Sequence, residues 1–156
     1  MVKLVPMTEA EFETYLDDDI RRYAEANVKA GHWLPSEALE KSRQVHDHLL
    51  PDGLATKDEF FFSIVSEAGE KIGILWVEVK TDASPRRAFV YDFWIREELR
   101  GQGYGRLALA ALDDTLRSMD VESVSLHVFG DNLTAQALYK KTGFEITGIH
   151  MRKKYK

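Results

Sequence analysis

The sequence predicts an α/β (α+β) fold: one domain spanning residues 1–156, in which a mixed, mostly antiparallel sheet is flanked by helices. Residues 8–49 space their apolar side chains as amphipathic helices do, whereas residues 59–81 alternate with a period of two. Residues 88–95 form an apolar run that passes through a glycine-rich turn into a further helical pattern. These changes of period predict strands interleaved with helices around one core. A chain of 156 residues is long enough to bury such a core.

The N-terminal half is predicted to contain a short strand, two helices and a hairpin. Thr8 and Glu11 have the spacing of a capping box, which begins the first helix. Gly31 ends that helix, and Pro51 stops the second one. Ala68–Gly69 forms the turn of the hairpin. The predicted elements are a strand at 3–5, helices at about 8–31 and 36–49, and strands at 59–66 and 71–81.

The C-terminal half alternates strands and helices. Residues 88–95 are apolar on both faces, as expected of a central strand. The helix after the glycine turn connects this strand to the next one at 121–128, so the two strands should lie parallel. A short helix at 133–142 follows. The last predicted strand runs from Phe144 to Lys154, with a bend at Gly148.

Composition and charge exclude several classes of protein. The chain has no cysteine, so neither a disulfide nor a thiolate nucleophile is available. The net charge of −5 argues against general nucleic-acid binding. No stretch resembles a signal peptide or a membrane span, so we expect a cytoplasmic protein with no membrane partner.

The stretch Arg100–Gly105 carries the main functional signal. A strand, three alternating glycines and a helix bring bare main-chain N–H groups to the positive end of a helix dipole, which favours a phosphate. A dinucleotide-binding fingerprint requires a glycine where Arg106 stands, and no Gly-Lys-Ser/Thr sequence closes a Walker loop. The remaining pattern, Arg-x-x-Gly-x-Gly, predicts a phosphate-bearing cofactor. A purely structural turn is the alternative.

Two motifs together resemble the GNAT N-acetyltransferase superfamily. Arg100, Gly103 and Gly105 are similar to its coenzyme A pyrophosphate loop. Residues 132–144 resemble its second signature, Asn-x-x-Ala-x-x-Leu-Tyr-x-x-x-Gly-Phe. The resemblance covers roughly residues 59–156, and the N-terminal part fits it more loosely.

The second signature also has a physical logic of its own. Asp131 or Asn132 can cap the helix that follows, and Gly143 can take the left-handed conformation at its end. Residues 132 and 139 are two helical turns apart, so their side chains project from one face.

The resemblance implies the GNAT fold, with a twisted sheet and with acetyl-CoA as co-substrate wedged between two splayed parallel strands, and no metal. It implies that a bulged strand leaves main-chain N–H groups at residues 93–95 for the pantetheine amides and the oxyanion. It also implies that Asn132 holds the pantetheine arm. The implied cofactor-binding residues are Phe93, Trp94, Ile95, Arg100, Gly101, Gln102, Gly103, Tyr104, Gly105, Arg106 and Asn132.

Acetyl transfer to an amine requires a base, an oxyanion site and an acid. The resemblance implies Tyr139 as the acid that protonates the leaving thiolate. Two residues are candidates for the base. His127 stands on the predicted strand 121–128, where some family members carry a catalytic glutamate, and Asp92 is a lone carboxylate in an apolar strand, where desolvation raises a pKa. The choice between them stays open, as does a structural role for both.

Other polar and aromatic residues carry weaker signals. His46 and His48 are two apart on a predicted helix and so point to different faces, which argues against a metal site. Asp17–Asp19 is typical of a solvated charge run on a helix. Trp33 lies between the first two helices, where it forms either a wall of the acceptor pocket or part of the core.

The sequence thus favours an acetyltransferase that moves an acetyl group directly from acetyl-CoA to a primary amine of a small molecule or a peptide. The acceptor cannot be read from the sequence, and a homodimer is possible in this family. Two alternatives belong to other classes. One is a non-catalytic acyl-CoA sensor of the same fold, and the other is a protein-interaction module whose glycine turn binds no ligand.

Overall fold

The computed structural model describes residues 1–156 as a five-stranded sheet with helices on both faces. The strands are β1 (Val2–Pro6), β2 (Glu59–Ser66), β3 (Lys71–Val79), β4 (Arg86–Ile95) and β5 (Val121–Leu126). The helices are α1 (Glu9–Lys29), α2 (Ala38–Leu49), α3 (Tyr104–Ser118) and α4 (Leu133–Lys141). None of the helices combines the length and the apolar composition that a membrane crossing requires.

The strands lie in the order β1-β2-β3-β4-β5. Neighbours are antiparallel from β1 to β4, and β4 and β5 are parallel. The parallel pair follows because α3 carries the chain back along the sheet before β5 begins. The predicted fold class, a mixed and mostly antiparallel sheet with flanking helices, is confirmed.

Two apolar cores fill the two faces of the sheet. On one face, Leu75 and Val77 of β3 pack with Leu112 of α3. On the other face, Trp76 of β3 packs with Phe12 of α1. β3 supplies both cores because successive side chains of a strand point to opposite faces.

The first helix begins at the predicted capping box. Thr8 Oγ1 accepts a hydrogen bond from the Glu11 N–H at 3.2 Å, and Glu11 Oε1 accepts one from the Thr8 N–H at 3.0 Å. The helix ends at Lys29, and Gly31 follows with φ +77°. α1 is thereby fixed across the sheet, and its inner face reaches β4.

β4 contains a bulge at Tyr91. The register pairs Asp92 with Trp76 but Val90 with the next residue of β3, so Tyr91 has no partner there. A bulge inserts one residue into one strand and increases the local twist. The last pair between β4 and β5 joins Val90 to Leu126. The two parallel strands therefore part at the bulge.

Two predicted strands differ from the structure. β5 ends at Leu126 rather than Val128 because its ladder with β4 stops there, and His127 lies beyond the strand. The strand predicted from Phe144 to Lys154 is wrong, since these residues form no regular element. A strand requires a neighbour for its main-chain hydrogen bonds, and the outer edge of β5 pairs with no segment of the chain.

Candidate active site

The turn between β4 and α3 places two open glycines at a helix N-terminus. Gly101 and Gly103 have φ values of +77° and +87°, and no atom lies within 4 Å of the place where a Cβ would stand on either. No side chain caps the first turn of α3, so its N–H groups are available to a ligand. The positive helix end favours an anion. The geometry fits a diphosphate, whose approach a Cβ at either glycine would obstruct.

The third glycine of the turn serves packing. A Cβ on Gly105 would lie 2.9 Å from Leu138 Cδ2. The missing side chain therefore lets α4 approach the start of α3. This close contact fixes the position of Tyr139, the next residue of α4.

The arginines around the turn differ in their availability to a ligand. Arg96 forms ion pairs with two glutamates. The Arg100 guanidinium donates from Nε to the Ile95 carbonyl oxygen at 2.8 Å and makes no other hydrogen bond within the chain. Arg106 is exposed and forms no ion pair. Arg100 and Arg106 are thus the cations left to meet an anion at the two open glycines, beside Gln102 and Tyr104.

The split between β4 and β5 leaves main-chain groups of β4 without a strand partner. The Arg96 N–H donates to the Ile72 carbonyl oxygen of β3 at 2.8 Å. Main-chain groups of successive residues in a strand point to opposite neighbours. Trp94 therefore faces β3, whereas Phe93 and Ile95 face the split. The main-chain groups of Phe93 and the N–H of Ile95 are oriented for a ligand that enters between the strands, whereas the Ile95 carbonyl oxygen accepts from Arg100.

Tyr139 stands at the edge of this split. Its ring lies 6.5 Å from the Phe93 ring and 5.5 Å from the Phe144 ring, measured between centroids. Its hydroxyl makes no hydrogen bond within the chain. Burial raises the pKa of Tyr139 to about 12, and the charge of Asp92 adds to the rise. The phenol is therefore protonated at neutral pH.

Asn132 caps α4. Its Oδ1 accepts a hydrogen bond from the Ala135 N–H at 3.2 Å, which confirms the cap predicted at this position. Gly143 has φ +101° after the end of the helix, as the signature predicts. The capping bond uses the side-chain oxygen of Asn132 and leaves its amide NH₂ group free.

His127 lies one residue beyond β5 with its side chain exposed. Its ring packs edge to face on Phe129 at 5.4 Å between centroids. The centroid of the Phe129 ring lies 6.1 Å from that of the His32 ring, and His32 belongs to the α1–α2 connection. No hydrogen bond joins His127 to Asp92, so the structure does not bring the two base candidates into direct contact.

Asp92 lies behind the bulge and faces α1. Its Oδ2 accepts a hydrogen bond from the Tyr15 hydroxyl at 2.9 Å and one from Arg22 Nη2 at 3.3 Å. Its side chain is 18% exposed. Burial raises the pKa of Asp92 to about 7, and the neighbouring Asp19 carboxylate adds to the rise. This carboxyl group exchanges a proton near neutral pH.

Asp92 belongs to a charged network that continues into α2. Arg22 Nη2 also lies 3.4 Å from Asp19 Oδ1. Asp19 Oδ2 lies 2.8 Å from His46 Nε2, and His46 Nδ1 lies 2.8 Å from the Ser42 carbonyl oxygen. Both partners of His46 accept hydrogen bonds, so a doubly protonated imidazolium satisfies both contacts.

The pKa values of this pair favour the charged forms. Burial opposes the charge of His46, but the hydrogen bond to Asp19 raises its pKa overall. Burial likewise opposes the charge of Asp19, but the hydrogen bond from His46 and the charge of Arg22 lower its pKa overall. The two residues form a buried ion pair next to Asp92.

Sequence reasoning missed this network, although its spacing was visible. The interpretation of residues 17–19 as a solvated run is wrong for Asp19, which is buried. Asp19 follows Phe12 and Tyr15 at helical spacing on the buried stripe of α1. His46 continues the buried stripe of α2 in the same way. A polar residue on an apolar stripe signals a buried partner, and here the partners are each other.

A cleft of about 660 Å³ lies between α1 and the neighbouring ends of β3 and β4. Tyr15, Arg22 and Trp94 line it, so it opens directly in front of the groups that hold Asp92. The guanidinium carbon of Arg22 lies 5.9 Å from the centroid of the Tyr15 ring and 5.8 Å from that of the Trp94 ring. Trp33 is not part of this cleft and packs edge to face on Tyr23. The other charged lining residues are Glu11, Asp18, Glu25, Arg21 and Lys71.

Comparisons with known proteins agree with this arrangement. The sequence profile of the acetyltransferase (GNAT) family matches residues 13–144, and so includes most of helix α1 and all of α2. The chain is 44% identical over 153 residues to the uncharacterized N-acetyltransferase YycN of Bacillus subtilis (strain 168), with 98% of each chain covered. The crystal structure of YycN covers 99% of this chain and superposes with a TM-score of 0.95, with 98% of that chain covered.

Two further relatives carry the same kind of name. N-acetyltransferase YdgE of Bacillus subtilis (strain 168) is 38% identical over 150 residues, 96% of each chain. L-amino acid N-acetyltransferase AaaT of Escherichia coli (strain K12) is 34% identical over 106 residues, 65% of this chain and 64% of that protein. The family profile spans most of the fold, and the structure contains the glycine turn, the split strands and Tyr139. The chain therefore belongs to the acetyltransferase (GNAT) family and is an N-acetyltransferase.

Proposed function

We propose that the protein transfers the acetyl group of acetyl-CoA directly to a primary amine of a small molecule or a peptide. The observation that carries the proposal is the end of the β4–β5 ladder at Val90 and Leu126. There the parallel strands part beside a glycine turn with free N–H groups. This is the space that a long, anionic thioester requires.

In this proposal the chain holds the co-substrate from both ends. The N–H groups of residues 101–105 bind the diphosphate, and Arg100 and Arg106 supply positive charge. The main-chain groups of Phe93 and the N–H of Ile95 bind the pantetheine amides and the oxyanion of the transition state. The free amide of Asn132 holds the pantetheine arm. The thioester itself supplies the activated acetyl group.

We assign the base to Asp92 and keep His127 as the competing candidate. A base works best with a pKa near the working pH, and the pKa of Asp92 is raised to about 7. Asp92 also lies behind Tyr15 and Arg22, which line the cleft where an acceptor can enter. His127 has an exposed side chain on the other side of the split.

The reaction balances with these two groups. The amine nitrogen forms a bond to the thioester carbonyl carbon, and its proton passes to Asp92, directly or through water. The carbon–sulfur bond then breaks, and Tyr139 donates its proton to the departing thiolate. Both residues return to their starting states by exchange with solvent. No covalent bond to the protein is required, and the chain contains no cysteine.

The charges that line the cleft indicate which class of acceptor to test. It carries Glu11, Asp18 and Glu25 together with three cations, so it suits a molecule that bears both an ammonium and a carboxylate group. AaaT is named for its action on L-amino acids. Amino acids and short peptides are therefore the first amines to test.

The test measures thiol release from acetyl-CoA across a panel of amines, with coenzyme A binding followed separately by calorimetry. Gly103→Ala should abolish binding, because a Cβ then fills the diphosphate site. Gly69→Ala is a matched control: Gly69 has φ +82° with no atom near its Cβ position, but lies in the β2–β3 turn. Binding without thiol release for any amine would favour a non-catalytic sensor. Absence of binding would refute the proposal.

A further inference from the structure

We propose that the buried His46–Asp19 ion pair is a positioning element of the catalytic site, which acts through Arg22 and controls how readily Asp92 takes up a proton. Neither His46 nor Asp19 lines the cleft, so their effect on the reaction is an indirect one. The inference rests on the proposed function, because Asp92 is the base assigned there.

Arg22 links the ion pair to the base. Its Nη2 lies 3.3 Å from Asp92 Oδ2 and 3.4 Å from Asp19 Oδ1, so one nitrogen serves two carboxyl groups. Its guanidinium carbon also lies within 6 Å of two ring centroids, at 5.9 Å from Tyr15 and 5.8 Å from Trp94. Such contacts hold a guanidinium in place. The positive charge that Asp19 shares is therefore not fully available to Asp92.

His46 holds Asp19 where it competes for Arg22. Asp19 Oδ2 lies 2.8 Å from His46 Nε2, and His46 Nδ1 lies 2.8 Å from the Ser42 carbonyl oxygen. The Ser42 hydroxyl in turn donates to the Ile20 carbonyl oxygen at 2.7 Å. The side chains of His46 and Asp19 are only 4 and 10% exposed. Helix α2 thus fixes a carboxylate of α1 beside the guanidinium that serves the base.

Opposing influences act on the charge of Asp92. Burial and the Asp19 carboxylate raise its pKa, whereas the Arg22 guanidinium lowers it. An opposite charge within about 4–6 Å typically lowers the pKa of a carboxyl group by about 1 to 3, and a like charge raises it. Without Asp19, Arg22 would hold Asp92 ionised as a weaker base. Asp19 offsets Arg22 and keeps Asp92 able to exchange a proton near neutral pH, as a base requires.

Three helices present titratable or charged groups to Asp92. These groups are Tyr15, Asp19 and Arg22 of α1, His46 of α2 behind Asp19, and Tyr139 of α4. β3 presents Trp76, which does not titrate. Tyr15 and Arg22 line the cleft, and Tyr139 stands at the split between β4 and β5. His46 and Asp19 are therefore the two groups that can act on Asp92 without contacting a substrate.

Removal of either member of the pair should move the pKa of Asp92, and the two moves should have opposite signs. Asp19→Asn removes a like charge and frees Arg22, so the pKa of Asp92 should fall by about 1 or more. His46→Gln keeps a hydrogen-bond donor for Asp19 but removes the positive charge that offsets it, so the pKa of Asp92 should rise by about 1. A general loosening of the core would instead admit water and lower this raised pKa in both variants.

The double variant separates a direct effect of His46 from one that passes through Asp19. In Asp19→Asn with His46→Gln, the pKa of Asp92 should lie close to that in Asp19→Asn alone, because the carboxylate that His46 offsets is absent. Asp17→Asn and His48→Gln are the matched controls, at exposed positions of α1 and α2. Both should leave the titration of Asp92 unchanged.

Carbon NMR of protein labelled at the aspartate carboxyl carbons measures these pKa values directly, whether or not the protein turns over a substrate. In the wild-type protein, Asp19 should stay ionised over the whole pH range in which Asp92 titrates. Protonation of Asp19 in that range would overturn the proposal, and this measurement requires no variant to fold. An unmoved pKa of Asp92 in Asp19→Asn and His46→Gln, or a move of the same sign in both, would also overturn it.

The pH dependence of kcat/KM connects the ion pair to catalysis. Its midpoint should follow the pKa of Asp92, downward in Asp19→Asn and upward in His46→Gln. A midpoint that stays fixed while the pKa of Asp92 moves would overturn the positioning role and would leave acetyl transfer itself intact, with another group as the base. If no amine reacts, the proposed function fails, whereas the titration of Asp92 still decides whether the ion pair controls its proton.

Discussion

At the scale of single residues, the pKa of Asp92 governs the expected pH dependence of catalysis. A base acts in its deprotonated form, so with a pKa of about 7 kcat/KM should rise with pH and level off above that value. Asp92→Asn should lower kcat/KM by about 10²- to 10⁴-fold and remove this limb. Asp17→Asn, at an exposed position of α1 outside the cleft, should leave both the rate and its rise with pH unchanged. If His127→Ala removes the limb while Asp92→Asn preserves it, the base is His127.

Tyr139 is expected to act only in the chemical step. Its phenol is protonated at neutral pH and free of hydrogen bonds, so it can donate to the thiolate as the carbon–sulfur bond breaks. Tyr139→Phe should lower kcat by about 10²-fold or more and leave coenzyme A affinity unchanged. Tyr155→Phe, at an exposed position, is the control. An unchanged single-turnover rate for Tyr139→Phe would contradict the assignment.

The buried His46–Asp19 pair predicts a pH-dependent stability. The raised pKa of His46 means that its contribution is present in acid and lost as pH rises through the folded-state pKa. The lowered pKa of Asp19 means that its contribution is lost as pH falls below the ordinary value of 3.8. The pair therefore stabilises the fold most from about pH 4 to 6.5.

His46→Gln tests this window. At about pH 5.5 it should lower the free energy of unfolding by about 3 kcal/mol, because removal of one member strands a buried charge. The loss should be smaller at about pH 9, because the imidazole loses its charge as pH rises through its raised folded-state pKa. Denaturant unfolding at both pH values measures the difference. His48→Gln, at an exposed position of the same helix, should have little effect on the free energy of unfolding at either pH. If His46→Gln lost the same free energy at both pH values, the ion pair would be contradicted.

At the scale of secondary-structure elements, β3 and β4 approach closely near the C-terminal end of β4. A Cβ on Gly73 would stand 2.1 Å from the Trp94 carbonyl oxygen, and main-chain atoms in a sheet cannot move aside. Gly73→Ala should therefore cost about 3 kcal/mol or more in unfolding free energy. Gly148→Ala, which meets no atom within 4 Å, is the control. Equal melting temperatures for the two variants would show that the strands can separate here.

The elements predicted well are those that carry local signals. The capping box of Thr8 and Glu11 and the glycines around α3 are sequence features with local consequences, and the structure contains both. The bulge at Tyr91 has no such signal, because it depends on the register of two strands. The segment 144–154 shows the opposite error: its alternation is that of a strand, but alternation cannot supply the neighbour that a strand needs. The His46–Asp19 contact joins two helices, so neither helix alone reveals it.

At the scale of the whole molecule, a net charge of −5 opposes the approach of an anionic cofactor. Binding must then depend on the few cations beside the glycine turn, and Arg106 is the one whose side chain makes neither an ion pair nor a hydrogen bond within the chain. Arg106→Gln should weaken coenzyme A binding by up to about fivefold in dilute buffer, the range of a single exposed charge pair. The effect should shrink in 1 M salt, where the Debye length falls to about 3 Å. Arg117→Gln is the control, since Arg117 sits at the far end of α3 and pairs with Asp114. Calorimetric titration at low and high salt compares the coenzyme A affinities of the two variants. Equal losses of affinity would mean that the overall charge of the protein, rather than the cations beside the glycine turn, governs cofactor binding.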